Sequence, residues 1–339
     1  MKNFIFIFSI IVLFIFQPLF AQEERGVGQK KVGQSTMNFL QVSVVPEATA
    51  LGDAYTAYGT GVQSLFYNPA GLSEMSHKVE VFVSNVQWIA DINYIGGAAA
   101  WNLNEYGSVG LNFITVDYGD IYGTQLLSFD EAATNQQGFL ETGLVDNVGA
   151  YAFGLYYSKK ISNLFSVGLG ARYVAQQLGS SEINGSMRDN EESKIAFDLG
   201  VKYYTPIEGF RFGMTIRNFS TEVKYEEVSA PLPITFSLGA AIDLTKLFPL
   251  AEEANSIVLT SEFTHPNNYT ERIHFGLEYE FMKMLALRGG YITNHDVNGL
   301  SLGIGLNANI SGTSTKISYT YSAMDVFDDV NRFSVMFAF

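Results

Sequence analysis

Residues 272–281 read Arg-Ile-His-Phe-Gly-Leu-Glu-Tyr-Glu-Phe, an unbroken alternation of polar or small side chains with apolar ones. Successive side chains of a β-strand point to opposite faces, so a strand over this stretch has one wholly apolar face and one face that carries Arg272, Glu278 and Glu280. Such a division is hard to fit into the core of a soluble sandwich. It is typical of a transmembrane barrel, whose strands meet lipid on one face and the lumen on the other.

The same alternation recurs along most of the chain. It is complete in residues 195–203, 234–242 and 301–309, among others. Applied throughout, it predicts an all-β membrane protein, an antiparallel transmembrane β-barrel of about 14 strands over residues 79–339. The expected strands begin near Val79, Tyr94, Tyr106, Val148, Leu164, Lys194, Phe210, Pro233, Asn255, Arg272, Met284, Gly299, Thr315 and Asn331.

The first and last strands carry signals of their own. Alternate residues of 79–83 are valines that share a face, but Val86 has the opposite parity, which predicts a bulge. In residues 333–339, the side chains of one face are apolar and the chain ends in Phe339. A final strand that ends in Phe resembles the C-terminal signal by which outer-membrane barrels are recognised for insertion.

Connection lengths test the strand count independently. Outer-membrane barrels pair short periplasmic turns with longer outer loops. Residues 102–105, 159–163 and 205–209 are short connections, whereas residues 117–147 and 177–193 are long ones. The order of short and long connections predicts that both chain termini lie on the periplasmic side and that the long, acidic connections face outward.

The N-terminal residues have the layout of a cleavable secretory signal. Lys2 precedes an almost unbroken apolar run over residues 4–16, and Ala21 precedes a polar stretch. We therefore predict a signal peptide over residues 1–21 and export to the outer membrane. An N-terminal membrane anchor is the alternative, although the run is shorter than the roughly 20 apolar residues that a spanning helix needs.

Composition and motifs exclude several function classes. The chain has no cysteine, which excludes disulfides and lipoprotein anchoring, and its formal net charge of −14 argues against nucleic acid as a partner. Residues 299–303 match the Gly-x-Ser-x-Gly nucleophile pattern but lie within an alternating strand and not at a strand-to-helix turn. The histidines are scattered without ligand spacing. We therefore predict no catalytic residues, no metal site, no cofactor and no enzyme activity.

The lumen-facing positions combine glycine with charge. Inward glycines let another backbone approach the wall closely, so we predict a polypeptide inside the barrel, held there by charge pairs. The candidate is residues 22–78, as a hatch or plug between the signal and the first strand; a periplasmic tail is the alternative. The predicted lumen-facing charged residues are Arg172, Asp198, Lys202, Arg211, Arg217, Asp243, Glu262, Arg272, Glu278, Glu280, Arg288, Lys316 and Arg332.

Two runs in this segment carry a family resemblance. Residues 50–54, Ala-Leu-Gly-Asp-Ala, and residues 66–72, Phe-Tyr-Asn-Pro-Ala-Gly-Leu, resemble the N-terminal signature of the PorV/PorQ family, which is similar to the FadL-type fatty-acid channels. The resemblance continues through residues 210–213, residues 231–233 and the terminal Phe339. It implies a barrel with a hatch held by Asn68, Pro69, Ala70 and Gly71. The chain departs from FadL-type channels in being shorter and in lacking a long apolar outer-loop domain.

The resemblance implies two alternative functions. PorV-type proteins act in the type IX secretion system, where they receive cargo with a C-terminal sorting domain from the translocon and pass it on for surface attachment. Residues 118–147 and 180–192 would then carry the cargo contacts. The alternative is FadL-like passive transport of hydrophobic compounds across the outer membrane.

Passive transport needs an apolar pocket beside the hatch. The side chains that the sequence offers for its lining are Phe82, Trp88, Ile114, Val116 and Val174. The inward charges argue against such a lining, because apolar ligands prefer mostly apolar walls. An open porin is a third possibility, but a barrel filled by a hatch would conduct poorly.

Overall fold

The computed structural model describes residues 33–127, 138–183, 186–225, 227–247, 254–310 and 312–339. Within them the chain forms a closed antiparallel β-barrel of fourteen strands, which confirms the predicted fold class and strand count. The predicted signal peptide, residues 1–21, and the first part of the predicted hatch, residues 22–32, lie outside the described residues. In the described part of the chain, no helix has the length and apolar character needed to cross a membrane.

The barrel strands follow one another around the wall in chain order. They are β1 (Val79–Gln87), β2 (Asn93–Asn102), β3 (Ser108–Asp117), β4 (Val148–Ser162), β5 (Phe165–Ile183), β6 (Ser186–Tyr204), β7 (Phe210–Phe219), β8 (Thr235–Asp243), β9 (Ser256–Pro266), β10 (Arg272–Phe281), β11 (Leu285–Ile292), β12 (Asn298–Ile310), β13 (Thr313–Met324) and β14 (Val330–Ala338). The barrel closes where β1 pairs with β14, with Val81 opposite Phe337.

The outward face of the wall is apolar. Its exposed side chains include Leu155, Phe197, Leu199, Leu238, Phe275, Leu277, Leu302, Ile304 and Phe333. Soluble proteins rarely expose a continuous apolar surface of this extent, so lipid is the solvent of this face. The polar partners of the same alternation point inward, as the strand pattern predicts.

The bulge predicted in β1 is wrong. The strand pairs with β14 without a register shift from Glu80 to Gln87. Val83 is 52% exposed on the outside, whereas Val86 is fully buried inside. The opposite parity of the valines reflects an apolar lumen side at this strand, where Phe66 packs on Phe82 with 5.8 Å between ring centroids.

The long outer connection expected over residues 177–193 is also wrong in its secondary structure. β5 and β6 continue through much of it as a hairpin, and Gln176 pairs with Glu192. β6 therefore begins at Ser186, well before the expected Lys194. Above the membrane neither face of a strand needs to be apolar, so the alternation stops although the ladder does not.

The other long connections carry small elements. Two short hairpins rise from this end of the barrel, Tyr122–Leu126 with Phe139–Leu144 and Val223–Lys224 with Ser229–Ala230. Single turns of 3₁₀-helix occur at Ile89–Asp91 and Asn104–Tyr106, and a short α-helix, Leu244–Leu247, lies at the opposite, short-turn end.

Residues 33–78, here called the inner segment, run through the lumen from the long-connection end to the short-turn end. The Thr36 amide donates to the Pro231 carbonyl at the first end, and the Lys78 amide donates to the Phe339 carbonyl at the second. The segment forms 3₁₀-helices at Asn38–Gln41, Gly61–Phe66 and Pro69–Glu74 and an α-helix at Pro46–Ala50. Pro46 occupies the first turn of its helix, where its missing N–H has no cost.

Candidate functional site in the barrel lumen

Glycines of the wall make room for the inner segment. A Cβ added at Gly290 would lie 1.9 Å from the Gly52 nitrogen, and one at Gly168 would lie 2.3 Å from the Pro69 carbonyl carbon. These distances are far below van der Waals contact. Any side chain at these two wall positions would therefore displace the wall or the segment.

Charged wall residues bind the backbone of the inner segment. Four cations donate to its carbonyl oxygens: Lys202 to Gly59, Arg211 to Ala57, Arg217 to Phe66 and Arg332 to Ser43. The carboxylate of Glu262 accepts from the backbone amide and from the hydroxyl of Thr56, each at 2.8 Å. Hydrogen bonds to charged groups are about twice as strong as neutral ones, so these contacts hold the path of the segment.

Ion pairs also join the wall to the segment. Arg288 Nε lies 2.5 Å from Glu278 Oε2 within the wall, and its Nη2 lies 3.7 Å from Glu47 of the segment. Lys202 Nζ lies 2.8 Å from Glu74 near the short-turn end. The Lys202 side chain is fully buried, and removing its carboxylate partner would leave an unpaired ion in the lumen.

Residues 68–71, the predicted hatch element, lie against the wall near the short-turn end. The Asn68 amide nitrogen donates to the carbonyls of Thr56 at 2.9 Å and Val201 at 3.0 Å, while its Oδ1 accepts from the Ala70 amide at 3.1 Å. Pro69 opens the following 3₁₀-helix, and a Cβ at Gly71 would lie 2.3 Å from the Gly59 carbonyl oxygen. The side chain of Asn68 thus connects two stretches of the segment to the wall.

A β-bulge interrupts the pairing of β6 with β7, between Phe197 and Leu199. Asn218 adopts a left-handed backbone here, with φ 62°. Asp198 satisfies the backbone amide that the ladder leaves unpaired, because its Oδ1 accepts from the Asn218 N–H at 2.9 Å. Arg172 binds the same carboxylate, with Nε 2.9 Å from Oδ2. The two charges therefore stabilise the irregular stretch of the wall.

This pair belongs to a longer polar chain across the lumen. The Tyr156 hydroxyl donates to Asp198 at 3.0 Å and receives a hydrogen bond from the Asn112 amide at 3.3 Å. Asn112 also donates to the Leu65 carbonyl of the inner segment at 3.2 Å. The bulge is thus connected to the segment through hydrogen-bonded side chains only.

The remaining predicted lumen charges lie apart from these networks. Asp243 lies at the short-turn edge and accepts from the Thr245 amide at 3.1 Å, and Glu280 accepts from the Asn307 amide at 2.8 Å. Lys316 lies on the inward side of β13, opposite Asn307. Among the described residues, neither Asp243 nor Glu280 forms a hydrogen bond with the inner segment.

A cavity of about 100 Å³ remains in the lumen beside the part of the segment nearest the long connections. Its apolar lining includes Leu40, Val42, Val44, Phe66 and Ile114. Its charged and ionisable lining includes Asp53, Arg172, Arg217, Glu262, Arg272 and His274. Pockets for drug-sized ligands measure roughly 300–1,000 Å³, so this space suits a much smaller solute.

The apolar side chains predicted for a pocket divide into two groups. Ile114 lines the cavity. Phe82, Val116 and Val174 are buried in the packed core between the wall and the inner segment. Trp88 is partly buried and lies under the Arg332 guanidinium, 5.4 Å from ring centroid to Cζ.

A larger depression of about 570 Å³ lies on the outside of the barrel. Outward side chains of β9–β12 surround it, among them Leu259, Phe275, Leu277 and Tyr291. Because these side chains face the bilayer, the depression is a feature of the lipid-exposed surface and is separate from the lumen.

Sequence reasoning missed the polar residues that hold the inner segment in shape. The Tyr67 hydroxyl donates to Asp53 Oδ1 at 2.5 Å and lies 2.5 Å from Ser43 Oγ. Asn268 is 1% exposed and donates to Ser35, Asn38 and Gln41. The only signals were the Gly52-Asp53 turn and the polar Asn267-Asn268 connection. In the described residues, no cluster of three or more acidic or histidine side chains is placed to hold a metal ion.

Comparisons with known structures match nearly the whole barrel. The CymD monoaromatic hydrocarbon channel superposes with a TM-score of 0.55 at 13% identity, covering 88% of this chain and 98% of that one. The Pseudomonas putida toluene transporter TodX gives 0.54 at 12% identity, again over 88% and 98%. A Pseudomonas aeruginosa FadL homologue gives 0.48 at 10% identity, over 84% and 94%.

Neither a protein-family model nor a curated protein matches the chain. The matched structures are transport channels and not enzymes. Identities this low establish the fold alone. The chain therefore has the fold of the FadL-like barrels, and this fold supports an outer-membrane location.

Proposed function

We propose that the protein is a passive outer-membrane channel for small hydrophobic compounds. Its fold is that of two proteins described as a monoaromatic hydrocarbon channel and a toluene transporter. Residues 1–21 are proposed to direct export, and residues 22–78 to form the hatch, with Asn68, Pro69, Ala70 and Gly71 holding it against the wall.

The observation that carries this proposal is the cavity of about 100 Å³ between residues 40–44 and the wall. Its apolar side, from Leu40 to Ile114, offers a single aromatic ring or a short aliphatic chain the contacts that such solutes need. The lumen is otherwise filled, so long-chain solutes would require the inner segment to move.

The test is uptake by cells that produce the protein. Accumulation of radiolabelled toluene at low external concentration is expected to exceed that of cells without the protein. Val42→Trp, which fills the cavity from the inner segment, is expected to lower this excess severalfold, because no space for the ring remains.

Leu155→Trp is the matched control, since Leu155 is 61% exposed on the lipid face. It adds the same indole without touching the lumen and is expected to leave uptake unchanged. If wild-type cells accumulate no more toluene or other small apolar compound than cells without the protein, the proposed transport is wrong.

A role as a secretion accessory is the second candidate, and the long-connection end favours it. The β5–β6 hairpin and the hairpin of Tyr122–Leu126 with Phe139–Leu144 rise above the barrel. Apolar side chains there are well exposed, with Leu126 at 87%, Val228 at 82% and Met187 at 71%. Exposed apolar side chains of this kind are typical of protein-binding surfaces.

This candidate predicts that the barrel binds sorting-domain cargo and the type IX translocon. Deleting the gene in its own host should then abolish surface attachment of sorting-domain proteins. Replacing Leu126, Met187 and Val228 together by serine should reduce that attachment without changing toluene uptake. Unaltered attachment after gene deletion would exclude the secretion role and leave the transport proposal standing.

A further inference from the structure

The cavity in the lumen has charged groups whose hydrogen bonding is unequal. Its two unsatisfied cations are Arg217 and Arg272, whose Nε atoms have no hydrogen-bond partner among the described residues. Arg217 donates through Nη1 to the Phe66 carbonyl and stacks on Tyr67, 5.3 Å from Cζ to the ring centroid. Arg272 forms no hydrogen bond or ion pair within the described residues and stacks on Tyr269 at 4.9 Å.

The carboxylates that line the same cavity already have partners. Glu262 accepts twice from Thr56, and Asp53 accepts from Tyr67 at 2.5 Å. Arg172, the third cation, is paired with Asp198 outside the lining. His274 is engaged at both ring nitrogens, with the Gly52 carbonyl at 2.6 Å and the Thr264 hydroxyl at 2.9 Å. The groups left without acceptors are therefore guanidinium N–H donors.

We propose that the cavity binds a small carboxylate with an apolar body about the size of one ring, with its anionic group on Arg272 and Arg217. A carboxylate has only acceptor oxygens and matches the planar fork of a guanidinium. The apolar body would contact Val42, Val44 and Ile114 on the other side of the cavity. The inference rests on the proposed function and narrows its substrate class from neutral hydrocarbons to small amphipathic anions.

The stacking of both arginines explains how the site remains open without ligand. Tyr67 and Tyr269 hold the two guanidinium planes in place, so little side-chain freedom is lost when an anion binds. A site of this size selects against long chains by volume and against cations by charge.

The experiment uses the full chain, refolded into nanodiscs and titrated calorimetrically with benzoate, toluene and benzylamine, with empty nanodiscs as the blank. Wild type is expected to bind benzoate at least about tenfold more tightly than benzylamine, since a charge-assisted hydrogen bond is gained with one and a repulsion with the other. Equal binding of benzoate and benzylamine would overturn the inference even if no variant could be folded.

Arg272→Met is expected to weaken benzoate binding by about tenfold or more and to leave toluene binding unchanged. Its folding is checked by heat-modifiable electrophoretic mobility. The control is Arg188→Met, which removes an arginine at the same end of the barrel that donates to the Tyr225 carbonyl and does not line the cavity. Benzoate affinity that falls equally in both variants would show general electrostatic attraction and contradict a built site.

The outcomes separate this inference from the proposed function. Toluene binding and uptake without preferential benzoate binding would overturn the carboxylate site and leave the channel proposal intact. Failure of the wild type to bind or take up any of the apolar probes would remove the channel proposal and this inference with it.

Discussion

The two parts of the inner segment are held in different ways. Residues 46–74 are buried against wall glycines and against charged side chains that bind their backbone, whereas residues 35–45 lie beside the cavity. The second part is held chiefly by polar contacts, those of Asn268 with Ser35, Asn38 and Gln41 and that of Arg332 with the Ser43 carbonyl.

The contrast shows where a solute can gain access without dismantling the barrel. Displacing residues 46–74 would expose buried ions and break close backbone packing, which is costly. Displacing residues 35–45 would break neutral hydrogen bonds that contribute about 1 kcal/mol each. We therefore expect the part near the long connections to open first, and the rest to stay in place as the floor of the cavity.

The largest expected effect tests whether the wall beside the cavity is as rigid as the floor. Asp198→Asn leaves the buried Arg172 guanidinium without its carboxylate and weakens the bond to the Asn218 amide. The free energy of unfolding in urea should fall by about 3–5 kcal/mol, the usual result of removing one partner from a buried pair.

Asp189→Asn is the control for Asp198→Asn. Asp189 is an exposed residue of the outer hairpin that accepts from Ser180, and its substitution should change the free energy of unfolding by less than about 0.5 kcal/mol. Equal effects of the two substitutions would mean that the bulge does not depend on the ion pair.

The next effect tests the close packing of the floor with two adjacent glycines on opposite faces of β11. A Cβ at Gly290 would meet the Gly52 backbone at 1.9 Å, whereas one at Gly289 meets only Leu302 Cδ2 at 3.6 Å. Gly290→Ala should lower the free energy of unfolding by about 3 kcal/mol, at the upper end of typical overpacking.

Gly289→Ala should be neutral or slightly stabilising, because the alanine reduces the freedom of the unfolded chain. Both variants are compared by urea unfolding in the same lipid. If Gly290→Ala is as stable as Gly289→Ala, the floor is looser than the structure indicates.

The wall was predictable from the sequence because lipid imposes one rule on every spanning strand. The starts of β1, β4, β7 and β10 agree with the expected residues, since the alternation begins where the bilayer does. The prediction failed where lipid is absent. β6 begins at Ser186 in the outer hairpin, and the inward Val86 reflects the apolar packing of the lumen at β1.

The interior was predictable only in its residue types. Inward glycine and charge indicated a polypeptide in the lumen, but the charges bind mainly backbone atoms of the segment, as Arg211 does at Ala57. Backbone acceptors leave no trace in a sequence, so the pairing could not be read from the residue types. The bulge at Asn218 depends on a left-handed residue that asparagine tolerates but does not announce.

A smaller effect is expected for the contacts that hold the part of the segment beside the cavity. Asn268→Ala removes an amide that donates to Ser35, Asn38 and Gln41 and leaves the floor untouched. Local stability of residues 35–41 should fall by about 1–2 kcal/mol, with global unfolding little changed. Hydrogen exchange measured by mass spectrometry should show faster exchange there and unchanged protection in residues 46–74.

Asn309→Ala serves as the control for Asn268→Ala, since Asn309 caps a turn at the opposite end by accepting from the Gly312 amide. It should leave exchange in both parts of the segment unchanged. Faster exchange in residues 46–74 of Asn268→Ala would contradict the proposed independence of the two parts.

The smallest effect concerns pH at the connection above Arg272. Burial, followed by the nearby positive charge of Arg272, lowers the pKa of His295 from its ordinary value near 6.5 to about 4. The neutral ring is also the form that the backbone needs, because Nδ1 accepts from the amides of Val297 at 3.2 Å and Asn298 at 2.9 Å.

Since the folded form of this connection takes up its proton at lower pH than the unfolded form, its stability is complete above about pH 6.5 and falls as the pH drops toward 4. Below that value both forms are protonated and no further loss is expected. NMR titration of the ring signal, assigned by its absence in His295→Asn, should give a midpoint near 4. A midpoint near 6.5 would mean that the ring is solvated, and that the connection lies open over the cavity at neutral pH.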